Sequence, residues 1–263
     1  MKNGLTKYFS SKEYKVIDGK FFFLNVDAAE ANNVERPDDL IFKLKFFLKK
    51  HPKLFLFLYY VIGTFVGTSA KKAVAHLGED AFIINLGSGV HRVREGAVNL
   101  DIAPHEGVDV IADVHRLPFK NDSADAVVAE CLLEHLKNPE AAVKEIYRVL
   151  KPGGMMYVST PFIIGYHSSP DDYQRWTTSG LRELLKDFKK KEFGILVGPT
   201  NAMTYILREW LATALSFNSR FLYQFFLLFF MVLFTPLNWL DFILKHYTSA
   251  SSIAHIYYFI GTK

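Results

Sequence analysis

Between residues 81 and 198 short apolar runs alternate with helix-patterned segments, and each run stops on a glycine, an acid or a hydroxyl residue. The runs are 82–86, 97–100, 108–112, 126–129 and 155–159, ended by Gly87, Asp101, Asp113, Glu130 and Thr160. Such alternation predicts a parallel sheet with crossover helices. The clearest helix covers 139–150. Asn138 can cap it, Pro139 suits its first turn, and Val143, Ile146, Tyr147 and Leu150 share one face. Lys151-Pro152-Gly153-Gly154 stops it. A second helix is predicted over 181–188, and two later strands over 193–197 and 256–260. Ligands of open α/β sheets bind at the carboxyl ends of the strands, where all five terminating residues converge.

The residue types at those ends fit a nucleoside-like ligand. Gly87-Ser88-Gly89 lets the backbone turn tightly and come close to a ligand, a property ordinary turns share. Asp101 can hold two ribose hydroxyls through its two oxygens, or serve as a strand-end turn residue. Asp113, followed by Leu117-Pro118-Phe119, can take a base amino group or cap a helix. Beyond the fifth run lies a loop dense in polar and aromatic groups, His167-Ser168-Ser169-Pro170-Asp171-Asp172-Tyr173-Gln174-Arg175-Trp176-Thr177. His167 can take a proton from a hydroxyl, Asp172 can orient it, and Arg175 can hold an anion or pair with Asp172 as a loop clasp. His135 is a second candidate base, and Glu134 beside it is read as structural.

Taken in order, Ile84-Asn85-Leu86-Gly87-Ser88-Gly89, Asn99-Leu100-Asp101-Ile102, Ala112-Asp113, Leu117-Pro118-Phe119, Leu133-Glu134-His135-Leu136 and Arg148-Val149-Leu150-Lys151-Pro152-Gly153-Gly154 resemble the class I S-adenosylmethionine-dependent methyltransferases, in particular the type 11 group. The resemblance covers about residues 81–198. It implies a Rossmann-like α/β fold with a seven-stranded, mostly parallel sheet and helices on both faces, the seventh strand antiparallel between the fifth and sixth. It implies S-adenosyl-L-methionine as cofactor, held by Asn85, Gly87, Ser88, Gly89, Asp101, Ile102, Asp113, Val114 and Glu130. His167, His135 and Asp172 would then be catalytic, and Tyr173, Arg175 and Trp176 would line the acceptor. Three features depart from the pattern, one of them His91 where a third glycine is usual. Asn85 stands where an acid is usual, and only ten residues, 87–96, join the first two strands, too few for a full crossover helix. Short forms of this kind resemble methyltransferases associated with surface-glycan biosynthesis.

The apolar surplus lies outside this core. Residues 54–70 carry no formal charge over 17 positions and follow Lys43, Lys45, Lys49 and Lys50. Residues 221–240 give 20 uncharged positions, six of them Phe. Both approach the roughly 20 residues of a membrane span. One crossing between the sixth and seventh strands would strand the last one on the wrong side of the bilayer. A helical hairpin lying on the membrane, or packed on 42–70, is expected instead. The resulting organisation is an extension and linker at 1–39, an apolar and basic helical segment at 40–80, the core at 81–198, an apolar helical insertion at 199–250 and the final strand at 251–263.

No signal peptide is read in the polar N-terminus, and the single Cys131 excludes a disulfide scaffold and a CxxC zinc site, so no metal is expected. A net charge of +4, with the basic residues set among Phe and Leu, argues against nucleic acid as partner. The expected function is methyl transfer, by O-methylation, to a small or lipid-linked glycan-type acceptor at the inner face of the cell membrane. A non-catalytic membrane-associated scaffold and a soluble homodimeric methyltransferase are the alternatives.

Overall fold

A computed structural model describes residues 2–24, 44, 51, 62–167 and 171–263. Among the described residues, nine strands form one sheet: β1 (Lys15–Ile17), β2 (Lys20–Phe22), β3 (Ile83–Leu86), β4 (Val98–Asp101), β5 (Val110–Ile111), β6 (Ala124–Glu130), β7 (Leu150–Pro161), β8 (Lys189–Val197) and β9 (Ile256–Thr262). Their order is β1-β2-β5-β4-β3-β6-β7-β9-β8. The stretch from β2 to β7 is parallel, and β9 runs antiparallel between β7 and β8.

The seven-stranded expectation is corrected to nine because the N-terminal extension is part of the sheet. Asp18 and Gly19 take positive φ values of 49° and 72°, the geometry of a two-residue hairpin turn. That turn folds β1 onto β2, and β2 joins the edge strand β5. Phe9, Tyr14, Phe21 and Phe23 stack edge to face behind it, which anchors the extension.

Strand alternation assigns the core to two faces. On one, Ile84, Leu86, Leu100, Val127 and Val158 meet α2 (Pro139–Val149) and α3 (Thr178–Leu184). On the other, among the described residues, Ile83, Ala126, Val128 and Tyr157 share a cluster with the four-residue α1 (Ala70–Ala73), Val74 and Val93. No helix joins β3 to β4, as the ten-residue spacing requires. Two guanidinium groups brace this thin side. Arg94 donates to the carbonyls of Leu77 (2.8 Å) and Gly78 (2.7 Å), and Arg92 to that of Gly107 (2.8 Å).

Most of the apolar segment at 40–61 lies outside the described residues. Its end departs from the helical expectation. Residues 64–69 are not helical, and Phe65 bridges antiparallel to Val197. Gly67 permits this contact, since a Cβ there would lie 2.2 Å from the Ile195 carbonyl oxygen.

The insertion between β8 and β9 is helical, as expected. It contains α4 (Pro199–Leu215), α5 (Arg220–Phe234), a 3-10 stretch Thr235–Leu240 and α6 (Asp241–Leu244). Helix α4 begins on Gly198, which has no side chain to cap it. Asp241, fully buried, supplies the cap from the far end of the hairpin, accepting from the backbone amides of Thr200 (2.7 Å) and Asn201 (3.0 Å). Thr204 donates to Asn238 (2.7 Å), and Asn201 to the Gly63 carbonyl (3.2 Å). The hairpin therefore turns its polar groups inward.

A Cβ at residue 198 would lie 2.4 Å from Asp241 Cγ. Gly198→Ala is expected to cost about 1–3 kcal/mol through overpacking at this cap. Thermal denaturation should show a melting temperature several degrees lower, and an unchanged midpoint would remove Asp241 as the cap of α4.

Candidate functional site

Gly87 and Gly89 end β3 with φ values of 60° and 50°, a conformation that glycine adopts freely. A Cβ on Gly87 would also meet Leu132 Cδ1 at 2.7 Å. Buried Asn85 explains itself here. Its amide nitrogen donates to Asn99 Oδ1 and to the His91 carbonyl, both at 3.0 Å. An acid at 85 would face two acceptors, so the amide is the residue that ties down a crossover loop without a helix.

Asp101 closes the loop from β4. Its Oδ2 accepts from the Gly89 amide (2.8 Å) and its Oδ1 from the Ala103 amide (3.1 Å). Each carboxylate oxygen has two lone pairs, so one on each remains for a ligand hydroxyl. Ile102 beside it is exposed. At the end of β5, Asp113 accepts from the His115 backbone amide (2.9 Å) and contacts the His115 ring (2.6 Å), while Val114 is buried.

A cavity of about 360 Å³ opens beside the glycine loop. Asn85, Gly87, Ser88, His91, Glu130 and Ser159 form its floor at the strand ends. Gly63, Phe65, Val197, Asn201 and His255 form the opposite wall. The root of the apolar hairpin is thus a wall of the cavity. Burial pushes the Glu130 carboxyl up to about 7 and the His255 ring down to about 4. His91 stands 3.9 Å from Glu130 and is held below its usual range by burial, then by Lys71. Cys131, next along the wall, adopts a left-handed φ of 46°. Burial and the neighbouring Glu134 raise its thiol well above the usual range.

Past Cys131 the chain turns into a polar cluster. Glu134 is fully buried, and burial raises its carboxyl to about 8. His135 Nδ1 lies 2.6 Å from the Asp171 carbonyl oxygen. The ring of His167 packs 4.9 Å from that of His135, and Asp172 accepts from the His167 amide (2.9 Å). Arg175 grips both oxygens of Asp172, with Nη2 to Oδ2 at 2.6 Å, and donates to the Gly165 carbonyl (3.2 Å). That guanidinium holds the Asp172 carboxyl well below the usual range.

The expected residues therefore divide. Asn85, Gly87, Ser88 and Glu130 meet in the cavity, while Gly89, Asp101, Ile102, Asp113 and Val114 lie on the other side of the glycine loop at the ends of β4 and β5. Arg175 is spent as a loop clasp on Asp172. Trp176 packs in the main core. His135 and His167 are not among the residues that line the cavity. Tyr173 is exposed, its hydroxyl donating to Asp171 (2.7 Å). Ser168, Ser169 and Pro170 lie outside the described residues. Sequence reasoning missed His255, Asn201 and Phe65, cavity residues that only the return of the chain brings to the strand ends.

Residues 72–158 match the family model described as a methyltransferase domain. An uncharacterized 37.1 kDa protein from a Streptomyces fradiae transposon is 32% identical over 99 residues, which is 38% of this chain and 27% of that protein. The demethylmenaquinone methyltransferase of Protochlamydia amoebophila is 39% identical over 63 residues, 24% of this chain and 26% of that enzyme. The chain thus spans 27% and 26% of the length of these relatives. Among solved structures, phosphoethanolamine N-methyltransferase 2 of Haemonchus contortus, in complex with S-adenosylhomocysteine, aligns with a TM-score of 0.47 at 16% identity, over 79% of this chain and 56% of that one.

The Glu130 carboxyl, at about 7, stays protonated in the folded chain at pH values where the unfolded chain, at its ordinary 4.5, has ionised. Folding stability should fall as pH rises from about 4.5 through about 7, because the unfolded state then binds fewer protons. Glu130→Gln should flatten this slope in melting curves taken across that range. Equal slopes for the two proteins would show that Glu130 is not buried as described.

Proposed function

We propose that the chain, whose residues 72–158 match a methyltransferase domain, transfers a methyl group from S-adenosylmethionine to a hydroxyl of an amphiphilic, glycan-type acceptor at a membrane surface. The observation that carries this reading is the shared wall. The helix that gives Asn201 to the cavity also carries the apolar hairpin.

The glycine loop, the spare lone pairs of Asp101 and the cavity at Glu130 fit the cofactor. When bound, it supplies an electrophilic methyl on a sulfonium sulfur. Gly87 and Gly89 keep the loop backbone free of side chains, so a ligand can lie against it. Asp101, fixed by the Gly89 and Ala103 amides, presents its remaining lone pairs to the ribose hydroxyls. Asp113 and Val114 sit at the end of β5, where the adenine would lie. Glu130 puts a carboxyl beside the methionine end. The polar floor of Ser88, Glu130 and Ser159 would align an acceptor hydroxyl, and the chain contributes proximity and orientation.

The hairpin supports the membrane part. Among the described residues one helical stretch, Arg220–Leu244, is long and apolar enough to cross a membrane, with 25 residues and a mean hydropathy of 1.9. Its burial is inverted. In α5 only Gln224 is buried, while Phe221, Phe225, Phe229, Val232 and Leu233 are about half exposed or more. Because β9 pairs with both β7 and β8, the stretch must return to the side from which it left. It is therefore read as lying in the membrane interface on the cytoplasmic side. The acceptor's lipid stays in the bilayer and its head reaches the cavity. A quinone-type acceptor is the second reading, favoured by the name of the Protochlamydia amoebophila relative.

Calorimetry should show one S-adenosylmethionine bound per chain, with affinity falling at least about tenfold in Asp101→Ala, the loss of hydrogen bonds to a charged group. No heat from a folded wild type would favour the scaffold alternative. Flotation with anionic liposomes should carry the wild type upward and leave Phe225→Ser/Phe229→Ser/Val232→Ser, altered only on the exposed face, at the bottom. A wild type that stays down and runs as a monodisperse dimer without detergent would overturn the membrane reading.

A further inference from the structure

Three donor atoms outside the cavity converge on one point. His135 Nε2 lies 3.9 Å from Glu134 Oε1, and His167 Nε2 lies 4.0 Å from the same oxygen. A ligating atom from each of the three residues fits within 4.8 Å of the others. These separations are too long for hydrogen bonds. Three donors sharing one cation through bonds of about 2.0–2.2 Å lie roughly 3.0–3.8 Å apart, so these side chains need to close by only a few tenths of an ångström or so to share one.

One of the other ring nitrogens already has an acceptor, and the second lies near a carboxylate without a hydrogen bond to it. His135 Nδ1 is 2.6 Å from the Asp171 carbonyl oxygen, and His167 Nδ1 is 3.4 Å from Asp172 Oδ2. A proton on each Nδ1 would leave each Nε2 lone pair free to ligate beside Glu134 Oε1. This is the outer-shell arrangement that orients metal-binding histidines. Arg175, gripping Asp172, holds that carboxylate in place.

The carboxylate itself is unaccounted for. Glu134 is fully buried, and neither of its oxygens has a hydrogen-bond partner among the described residues. An unsatisfied buried carboxyl is costly, and a coordinated cation removes that cost.

We propose that Glu134, His135 and His167 bind a divalent first-row transition-metal cation through Glu134 Oε1 and the two Nε2 atoms. Two imidazoles and one carboxylate favour zinc, cobalt, nickel or manganese over the all-oxygen preference of magnesium and calcium. The site stands whether or not the chain transfers methyl groups. It lies next to Cys131, a cavity residue, so an open coordination position there would serve an acceptor oxygen.

The test is cobalt(II) titration of the full chain after chelator treatment, followed by visible absorption and by melting temperature. The wild type should take up one equivalent with new d–d bands and an upward thermal shift. His167→Ala, at a partly exposed side chain, should weaken binding by at least about tenfold, as losses around metal sites generally do. If that variant is misfolded by circular dichroism, Glu134→Gln, which keeps the shape and removes the charge, decides in its place. No bands and no shift in the wild type at millimolar cobalt would overturn the assignment. So would equal cobalt affinity in the wild type and in a folded Glu134→Gln.

Discussion

The pairing of β9 with both β7 and β8 is the constraint on which the rest of the molecule depends. Its seven registered contacts with β7, from Met155↔Thr262 to Pro161↔Ile256, leave no freedom in where the chain must come back. Everything inserted between Val197 and Ile256 has to leave the sheet and return to the same edge. The hairpin of α4 and α5 satisfies that demand, and the closure brings His255 to the end of β7 opposite the glycine loop. The cavity therefore has one wall made by the Rossmann-like core and another made by the inserted segment.

The second governing fact is the inversion of polarity in that insertion. Asp241, Asn238, Thr204 and Asn201 are buried, while a run of phenylalanines faces outward. Water alone would favour the reverse arrangement. The buried side chains have identified work. Asp241 caps α4, and Thr204 bonds Asn238, so the inner face pays its desolvation cost with hydrogen bonds. Among the described residues the outer face has no such compensation, and a lipid surface is the environment proposed for it.

Much of the core was legible in the sequence because its signals are local. Apolar runs ended by Gly87, Asp101, Asp113 and Glu130 reported β3 to β6, and Asn138-Pro139 reported the start of α2. The antiparallel last strand followed from the resemblance. The N-terminal hairpin was equally local and was overlooked. Asp18-Gly19 between β-favouring residues is a strong hairpin signal, obscured by the polar residues around it. Other features were not local at all. Phe65 meets Val197 across more than a hundred residues, and the Arg175 grip on Asp172 is one of two readings that spacing alone left open. Glu134 and His135 are joined to His167 only by the course of β7, so the sequence presented them as separate candidates for separate roles.

The decisive measurement is incubation of the purified chain with methyl-labelled S-adenosylmethionine and membranes from cells in which its gene has been deleted. Label should pass into the organic-phase lipid fraction with the wild type, stay behind with Asp101→Ala, and be released from that fraction as a water-soluble methylated headgroup on mild acid hydrolysis. Label confined to the aqueous phase, or transferred equally well by Asp101→Ala, would contradict methyl transfer to a membrane-resident acceptor.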